Sequence, residues 1–194
     1  MKILTVALLT AVSLFAENSQ GGETVLDPAD HKPNILFILT DDQGYGDWKC
    51  TGHPLLKTPN VDRLAKESVR FENFQVSASC SPTRAALLTG MHEFRNGVTH
   101  TQVPREHLWK DAATLPELLS SVGYRTGFIG KWRLGNPEGY APQDRGFQWC
   151  STNQGGEREH FDPVMVRNYK REKVKGYRED VFFDDAMRFI SQSG

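Results

Sequence analysis

Residues 34–40, Asn-Ile-Leu-Phe-Ile-Leu-Thr, form a continuous apolar run without polar alternation. That is the pattern of a strand covered on both faces, and such strands belong to sheets whose crossover helices lie over each side. The rest of the chain supplies matching helices and strands. Thr58 suits an N-cap and Pro59 a first helical turn, with Val61, Leu64 and Ala65 sharing one face. Residues 69–76 read as a second strand with weaker alternation, and residues 124–129 as a third. Thr114-Leu-Pro-Glu117 is a capping box opening a helix that Gly123 ends. Residues 134–180 are polar, charged and Gly-rich, which predicts loops and short pieces. Residues 181–190 carry helical spacing at Phe182, Ala186 and Phe189. The expected fold class is α/β, a mostly parallel sheet flanked by helices.

A chain of 194 residues can bury a core of one ordinary domain. Lys2 precedes an apolar run from Ile3 to Phe15, and Ala16 offers a small residue at a cleavage point. This predicts a signal peptide over 1–16, a polar leader over 17–32 and a domain over 33–194, hence export to the periplasm or exterior. The alternative is a hydrophobic N-terminal strand or helix. The run is too short to span a bilayer, and no other stretch approaches membrane length. A net charge of −1 provides no field to steer the chain towards nucleic acid or an anionic membrane. The cysteines are Cys50, Cys80 and Cys150, an odd count that leaves one thiol over. Cys50 and Cys150 either pair or stay as two separate buried thiols.

Three local features can carry chemistry. Asp41 and Asp42 leave the carboxyl end of the first apolar run, where open α/β sheets bind ligands. Adjacent carboxylates repel unless a cation compensates, so the pair reads as half of a site for a hard divalent ion or as a solvated acidic turn. Cys80 precedes Pro82 and an apolar stretch, which puts it at or just before a helix N-terminus, where the dipole favours an anion. Arg84 follows one turn later and can face the same spot. Lys131 comes shortly after the third strand and could bind an anion. A packed thiol and a solvated surface lysine are the bland alternatives.

Taken together, the motifs resemble those of the sulfatase family. Cys80-Ser-Pro-Thr-Arg84 is similar to the family stretch in which Pro two residues on and Arg four residues on direct conversion of the Cys to formylglycine. Residues 33–47 (Pro-Asn-Ile-Leu-Phe-Ile-Leu-Thr-Asp-Asp-Gln-Gly-Tyr-Gly-Asp) and 58–64 (Thr-Pro-Asn-Val-Asp-Arg-Leu) also look like sulfatase text. So do residues 85–90, residues 95–98 and a second motif over residues 123–132, Gly-Tyr-Arg-Thr-Gly-Phe-Ile-Gly-Lys-Trp. The resemblance runs from about residue 33 to 190 and implies an alkaline-phosphatase-like fold, incomplete at its C-terminal side.

The implied activity is hydrolysis of sulfate esters, as in arylsulfatases, on a sulfated small molecule or polysaccharide. The implied cofactors are calcium and 3-oxoalanine (formylglycine) made from Cys80 by a formylglycine-generating enzyme. One hydroxyl of the hydrated aldehyde attacks sulfur, and the other later expels sulfate. Asp41, Asp42 and the modified Cys80 would hold calcium, Arg84 the hydrated aldehyde, and Lys131 the sulfate and the diol. The chain departs from the family pattern at Arg133, where the family has His two residues after the Lys. Arg keeps the charge but cannot act as a base, so sulfate binding is expected to survive while regeneration of the aldehyde slows. The family also continues past this length with a further Asp-Asn pair, a His and a Lys. Asp184-Asp185 is not that pair and reads as part of a capped surface helix. Two other readings stay open: a phosphodiesterase of the same superfamily, and a truncated, non-catalytic sulfatase-like fragment.

Overall fold

A computed structural model describes residues 32–135, 138–153 and 159–192. Both the expected signal peptide and all but the last residue of the leader lie outside them. The chain forms two compact units, residues 1–40 and 41–194. In the first, the described residues 32–40 run without regular secondary structure, and Ile35, Leu36, Phe37 and Ile38 are each more than half exposed. The predicted strand over 34–40 therefore has no ladder among the described residues. A strand exists only through bonds to a neighbour, and here no described strand pairs with it.

The second unit holds a mixed sheet with helices beside it. Strand β1 (Gly127–Ile129) pairs in parallel with β2 (Trp149–Asn153), which pairs antiparallel with β3 (Val164–Arg167), and β3 antiparallel with β4 (Lys170–Lys173). The order is β1-β2-β3-β4. A two-residue connection closes the last hairpin, with Asn168 at φ 45 and Tyr169 at φ 69. Two positive φ values in succession suit the right-handed twist of the flanking strands. Residues 134–180, expected as loops and short pieces, thus contain three of the four strands among the described residues. The sequence concealed them because β4 is Lys-Arg-Glu-Lys, all exposed, and shows no apolar alternation.

The helices are α1 (Pro59–Glu67), α2 (Cys80–Thr89), α3 (Leu115–Ser121) and α4 (Arg178–Ser191). At α1, Thr58 and Pro59 sit where expected, but Leu64 is 61% exposed and the inward positions are Val61, Asp62 and Ala65. Asp62 turns inward because its Oδ1 accepts from the Cys50 N–H at 2.9 Å and the Thr58 hydroxyl at 2.9 Å. Before α3, Glu117 accepts from the Thr114 N–H at 2.8 Å, and Gly123 at φ 89 follows the helix end. The predicted strand over 69–76 does not form, and Val69, Phe71, Phe74 and Val76 are all exposed. Its alternation is broken at Asn73, inside a turn.

Helix α4 lies on β1 and β2, with Phe189 stacked on Trp149 at 5.8 Å between ring centroids. The approach needs Gly127, since a Cβ there would meet the Phe189 ring at 2.8 Å. Asp184 is exposed, as a surface helix requires, but Asp185 is fully buried. The surface reading of the pair therefore fails at Asp185, which faces the sheet and is held there by Ser151 and Arg167.

The core joins Ala85 of α2 to Val98, Leu108, Ala112, Trp132 and Leu134, with Leu88, Met91, Phe128 and Phe147 packed against it. Trp132 meets Phe128 edge-on at 5.0 Å and Phe147 at 6.1 Å, and its Nε1 donates to the Tyr140 carbonyl at 2.6 Å. All three cysteines are free thiols, so Cys50 and Cys150 stay separate; Cys50 is half-buried and Cys150 fully buried. Burial pushes the Cys150 thiol up to about 12, which leaves it inert at neutral pH. Maleimide should therefore label Cys50 in the native chain and Cys150 only after denaturation. Mass mapping that found Cys150 labelled as fast as Cys50 would contradict this packing.

Candidate functional site

Helix α2 begins at Cys80 because the backbone changes direction there. Ser79 is extended at φ −146 and ψ 169, and its carbonyl accepts from the Thr83 hydroxyl at 2.9 Å and the Thr83 N–H at 3.3 Å. Pro82 fits the first turn, where no intrahelical donor is needed. Gly90, at φ 66, ends the helix and donates to the Ala86 carbonyl at 2.8 Å. Ser81, Pro82, Thr83 and Ala85 are buried. Cys80 and Arg84, four residues apart, remain partly exposed on a shared face.

The opposite wall follows β1. Gly130, at φ 118, donates its N–H to the Ser151 carbonyl at 2.9 Å. Beyond it, inward and outward residues alternate. Trp132 and Leu134 are buried, while Lys131 is part-exposed and Arg133, at φ 60, is exposed. A positive φ on an arginine is uncommon and tends to mark functional positions.

Side chains from both walls converge. The Arg84 guanidinium donates to the Lys131 carbonyl at 2.7 Å and to Asp41 Oδ1 at 3.1 Å. Lys131 Nζ donates to Asp41 Oδ2 at 2.7 Å. Partial burial raises the Asp41 carboxyl, but the Lys131 hydrogen bond and charge, with the Arg84 charge, outweigh it and hold it below the ordinary value. Cys80, Lys131, Asp42 and Arg133 line one cleft of about 360 Å³, together with Ala78, Ser79 and Thr101. Asp42, Cys80, Lys131 and Arg133 thus share a cleft, and Lys131 is bonded to Asp41 and Arg84. Thr101 is an addition; it sits in a loop with no motif around it.

Calcium is a different matter. Among the described residues no three His, Cys, Asp or Glu side chains cluster as a metal site. Asp42 adds one carboxylate, and both oxygens of Asp41 already face cations. A calcium ion wants about six to eight oxygens, so these residues alone do not fit it. The Cys80 position does fit a nucleophile: it is half-buried and opens into a cleft beside a lysine.

Comparison with known proteins identifies the family. The sulfatase family model matches residues 33–194. The chain is 36% identical to an N-acetylglucosamine-6-O-sulfatase of Bacteroides thetaiotaomicron over 94% of its own length and 31% of the relative's. It is 41% identical to arylsulfatase G of Rattus norvegicus over 77% of this chain and 28% of that one. Among solved structures, BT4656 in complex with its substrate D-glucosamine-2-N,6-O-disulfate superposes with a TM-score of 0.72 at 36% identity, covering 83% of this chain and 31% of that one. Ps i-CgsB does so with a TM-score of 0.77 at 29% identity, covering 84% and 42%. The chain spans about a third of the length of the curated relatives it matches. Its fold is that of the alkaline-phosphatase-like sulfatases, in the portion these residues cover. On its sequence motifs, its fold and these matches, the chain belongs to the sulfatase family.

Proposed function

We propose that the protein carrying this chain hydrolyses sulfate esters, with residue 80 as its nucleophile after conversion to formylglycine. The observation that supports this most is the shared cleft of Cys80, Lys131 and Arg133, with Arg84 bonded to the Lys131 backbone. Formylglycine would supply a hydrated aldehyde whose oxygen attacks sulfur.

The residues present bind and orient the anion. Lys131 Nζ is placed to donate to a sulfate oxygen as charge builds on it. Arg84, only 11% exposed along its side chain, braces Lys131 through the carbonyl and limits its drift. Arg133 adds a permanent cation at the cleft mouth and cannot accept a proton. Proton removal from the nucleophile therefore needs another group. Calcium, which the family resemblance implies, would need ligands beyond those described.

A sulfated sugar is the substrate class we favour, on the strength of the N-acetylglucosamine-6-O-sulfatase relative and the glucosamine disulfate bound to BT4656. Export is supported by the apolar run after Lys2. No described helix is long and apolar enough to cross a membrane.

The test is to co-express the protein with a formylglycine-generating enzyme. The mass of the peptide holding Cys80 is then read, and turnover of an aryl sulfate is compared with that of an aryl phosphodiester. We expect the aldehyde mass and a preference for sulfate, with Lys131→Ala lowering turnover by about 10²–10³-fold. An unmodified thiol, with no turnover, sinks the catalytic reading and leaves an anion-binding module; preference for the diester points to the phosphodiesterase reading instead.

A further inference from the structure

The β3–β4 hairpin concentrates positive charge in a chain whose net charge is −1. Between residues 167 and 178 six Lys or Arg stand against a single acid, Glu172. Two of the six are committed, Arg167 to Asp185 and Glu172, and Arg178 to Glu179. Lys170, Arg171, Lys173 and Lys175 are exposed and make no ion pair with any described residue. Lysines often blunt a sheet edge against pairing, but that role ends with the strand, and Lys175 lies beyond β4. Unpaired cations held this close repel one another, and an anionic partner relieves the repulsion.

Register gives the run a direction. Directly opposed residues of an antiparallel pair share a face, so Arg171 and Lys173 stand with Val166 and Val164, about 7 Å apart along the strand. This face points away from α4, because Arg167, on the other face, bonds to Asp185. Strands β1 and β2 are parallel, and β3 reverses before β4 returns, so β1 and β4 finish at the same end of the sheet. Lys131 of the cleft follows β1 there, and Lys175 follows β4, three strand spacings or about 14 Å across. Just past Lys175, the rings of Phe161 and Tyr177 lie 5.3 Å apart, and Phe161 is 72% exposed, a flat apolar surface beside the cations. We propose that this hairpin is a docking surface for a sulfated polysaccharide, with Arg171, Lys173 and Lys175 holding sulfate groups of a chain that extends from the cleft. This rests on the reading of the cleft as a sulfate-ester site. A polymer suits the surface better than a single small anion, since exposed charges are weak one by one and a repeated anion engages several together.

The experiment follows the anisotropy of a fluorescent dextran sulfate oligosaccharide titrated with the full chain over a range of salt concentrations, with unsulfated dextran as control. Wild type is compared with the hairpin variant Arg171→Gln/Lys173→Gln/Lys175→Gln. A second variant, Lys57→Gln/Arg63→Gln/Lys66→Gln, removes the same charge from exposed positions elsewhere. The hairpin variant is expected to bind dextran sulfate about 10-fold more weakly, with a salt slope shallower by about two, and the second variant should lose clearly less. Circular dichroism and gel filtration check fold and association. Should the bared edge aggregate, Lys175→Gln alone replaces the triple variant, with an expected loss of about 2- to 3-fold. Equal losses from the two triple variants, or no loss from the hairpin variant, would overturn the proposal. So would binding of double-stranded DNA or phosphatidylserine vesicles as tightly as dextran sulfate. Turnover of a small aryl sulfate, too short to reach the hairpin, tests the underlying reading separately, and the hairpin variant should leave it unchanged. If the aldehyde-bearing wild type turns over no aryl sulfate but the hairpin effect persists, the docking surface stands and ester hydrolysis falls. Turnover without a hairpin effect gives the reverse.

Discussion

Trp132→Ala is expected to lower the unfolding free energy by about 3–5 kcal/mol, the usual range for deleting a large buried aromatic. Trp132 is 8% exposed and contacts two elements at once. It lies edge-on to Phe128 of β1 and to Phe147 before β2, and it is in the core cluster with Ala85 of α2. Removing the indole opens a void that the aromatic neighbours can close only by moving β1 against α2. The loss would also free the Tyr140 carbonyl from its bond to Nε1. The effect reaches the site because Lys131 is the preceding residue and its carbonyl anchors Arg84. Urea denaturation followed by circular dichroism measures the stability. Sulfate titration of the still-folded protein measures the placement of Lys131. Trp132→Phe, which keeps much of the volume but drops the donor, should cost clearly less. A loss below about 1 kcal/mol for the Ala variant would mean that the packing around Trp132 is looser than described.

Asp185→Ala is expected to destabilise by a similar amount, about 3–5 kcal/mol, through a different mechanism. The carboxylate is fully buried under α4 and accepts from Ser151 Oγ at 2.6 Å and Arg167 Nε at 2.7 Å, with Arg188 at 3.3 Å. Arg167 also pairs with Glu172 across the β3–β4 hairpin. One carboxylate therefore ties α4 to β2 and β3. Deleting it leaves Arg167 Nε and the buried Ser151 hydroxyl without their acceptor, with Glu172 still holding the other end of the guanidinium. The cost comes chiefly from those stranded groups, since a buried pair is itself only weakly stabilising. Arg167→Met combined with Asp185→Leu should recover much of the loss, because it removes both charges together. Denaturation midpoints of the single and double variants decide it. A double variant as unstable as Asp185→Ala would show that shape, and not stranded charge, dominates there.

The positions of Cys80, Arg84 and Lys131 were more legible in the sequence than the strands around them. Cys80 and Arg84 could be placed from sequence because Pro82 and the apolar residues after it define a helix start, and i, i+4 positions share a face. Lys131 was placed by the short apolar strand before it, and only the family resemblance gave it a role. These are local rules, enforced by the backbone within one or two turns. The strands were less legible. Residues 34–40 and 69–76 have strand-like composition but no described partner, whereas Lys-Arg-Glu-Lys at 170–173 is a strand despite its charge. Pairing is a property of two segments, and composition reports on only one.

By itself, the sequence determined the family, the α/β class, the helix starting at Cys80 and the residue types at the site. Tertiary structure alone decided what those residues do to one another. The sequence sets Asp41 beside Asp42, and the fold adds Lys131 and Arg84 as its hydrogen-bond partners. Asp185 reads as surface until the sheet beneath α4 buries it. The reason is physical: the state of a charge depends on its distance to other charges and to water, and folding sets both between residues 40 to 90 positions apart.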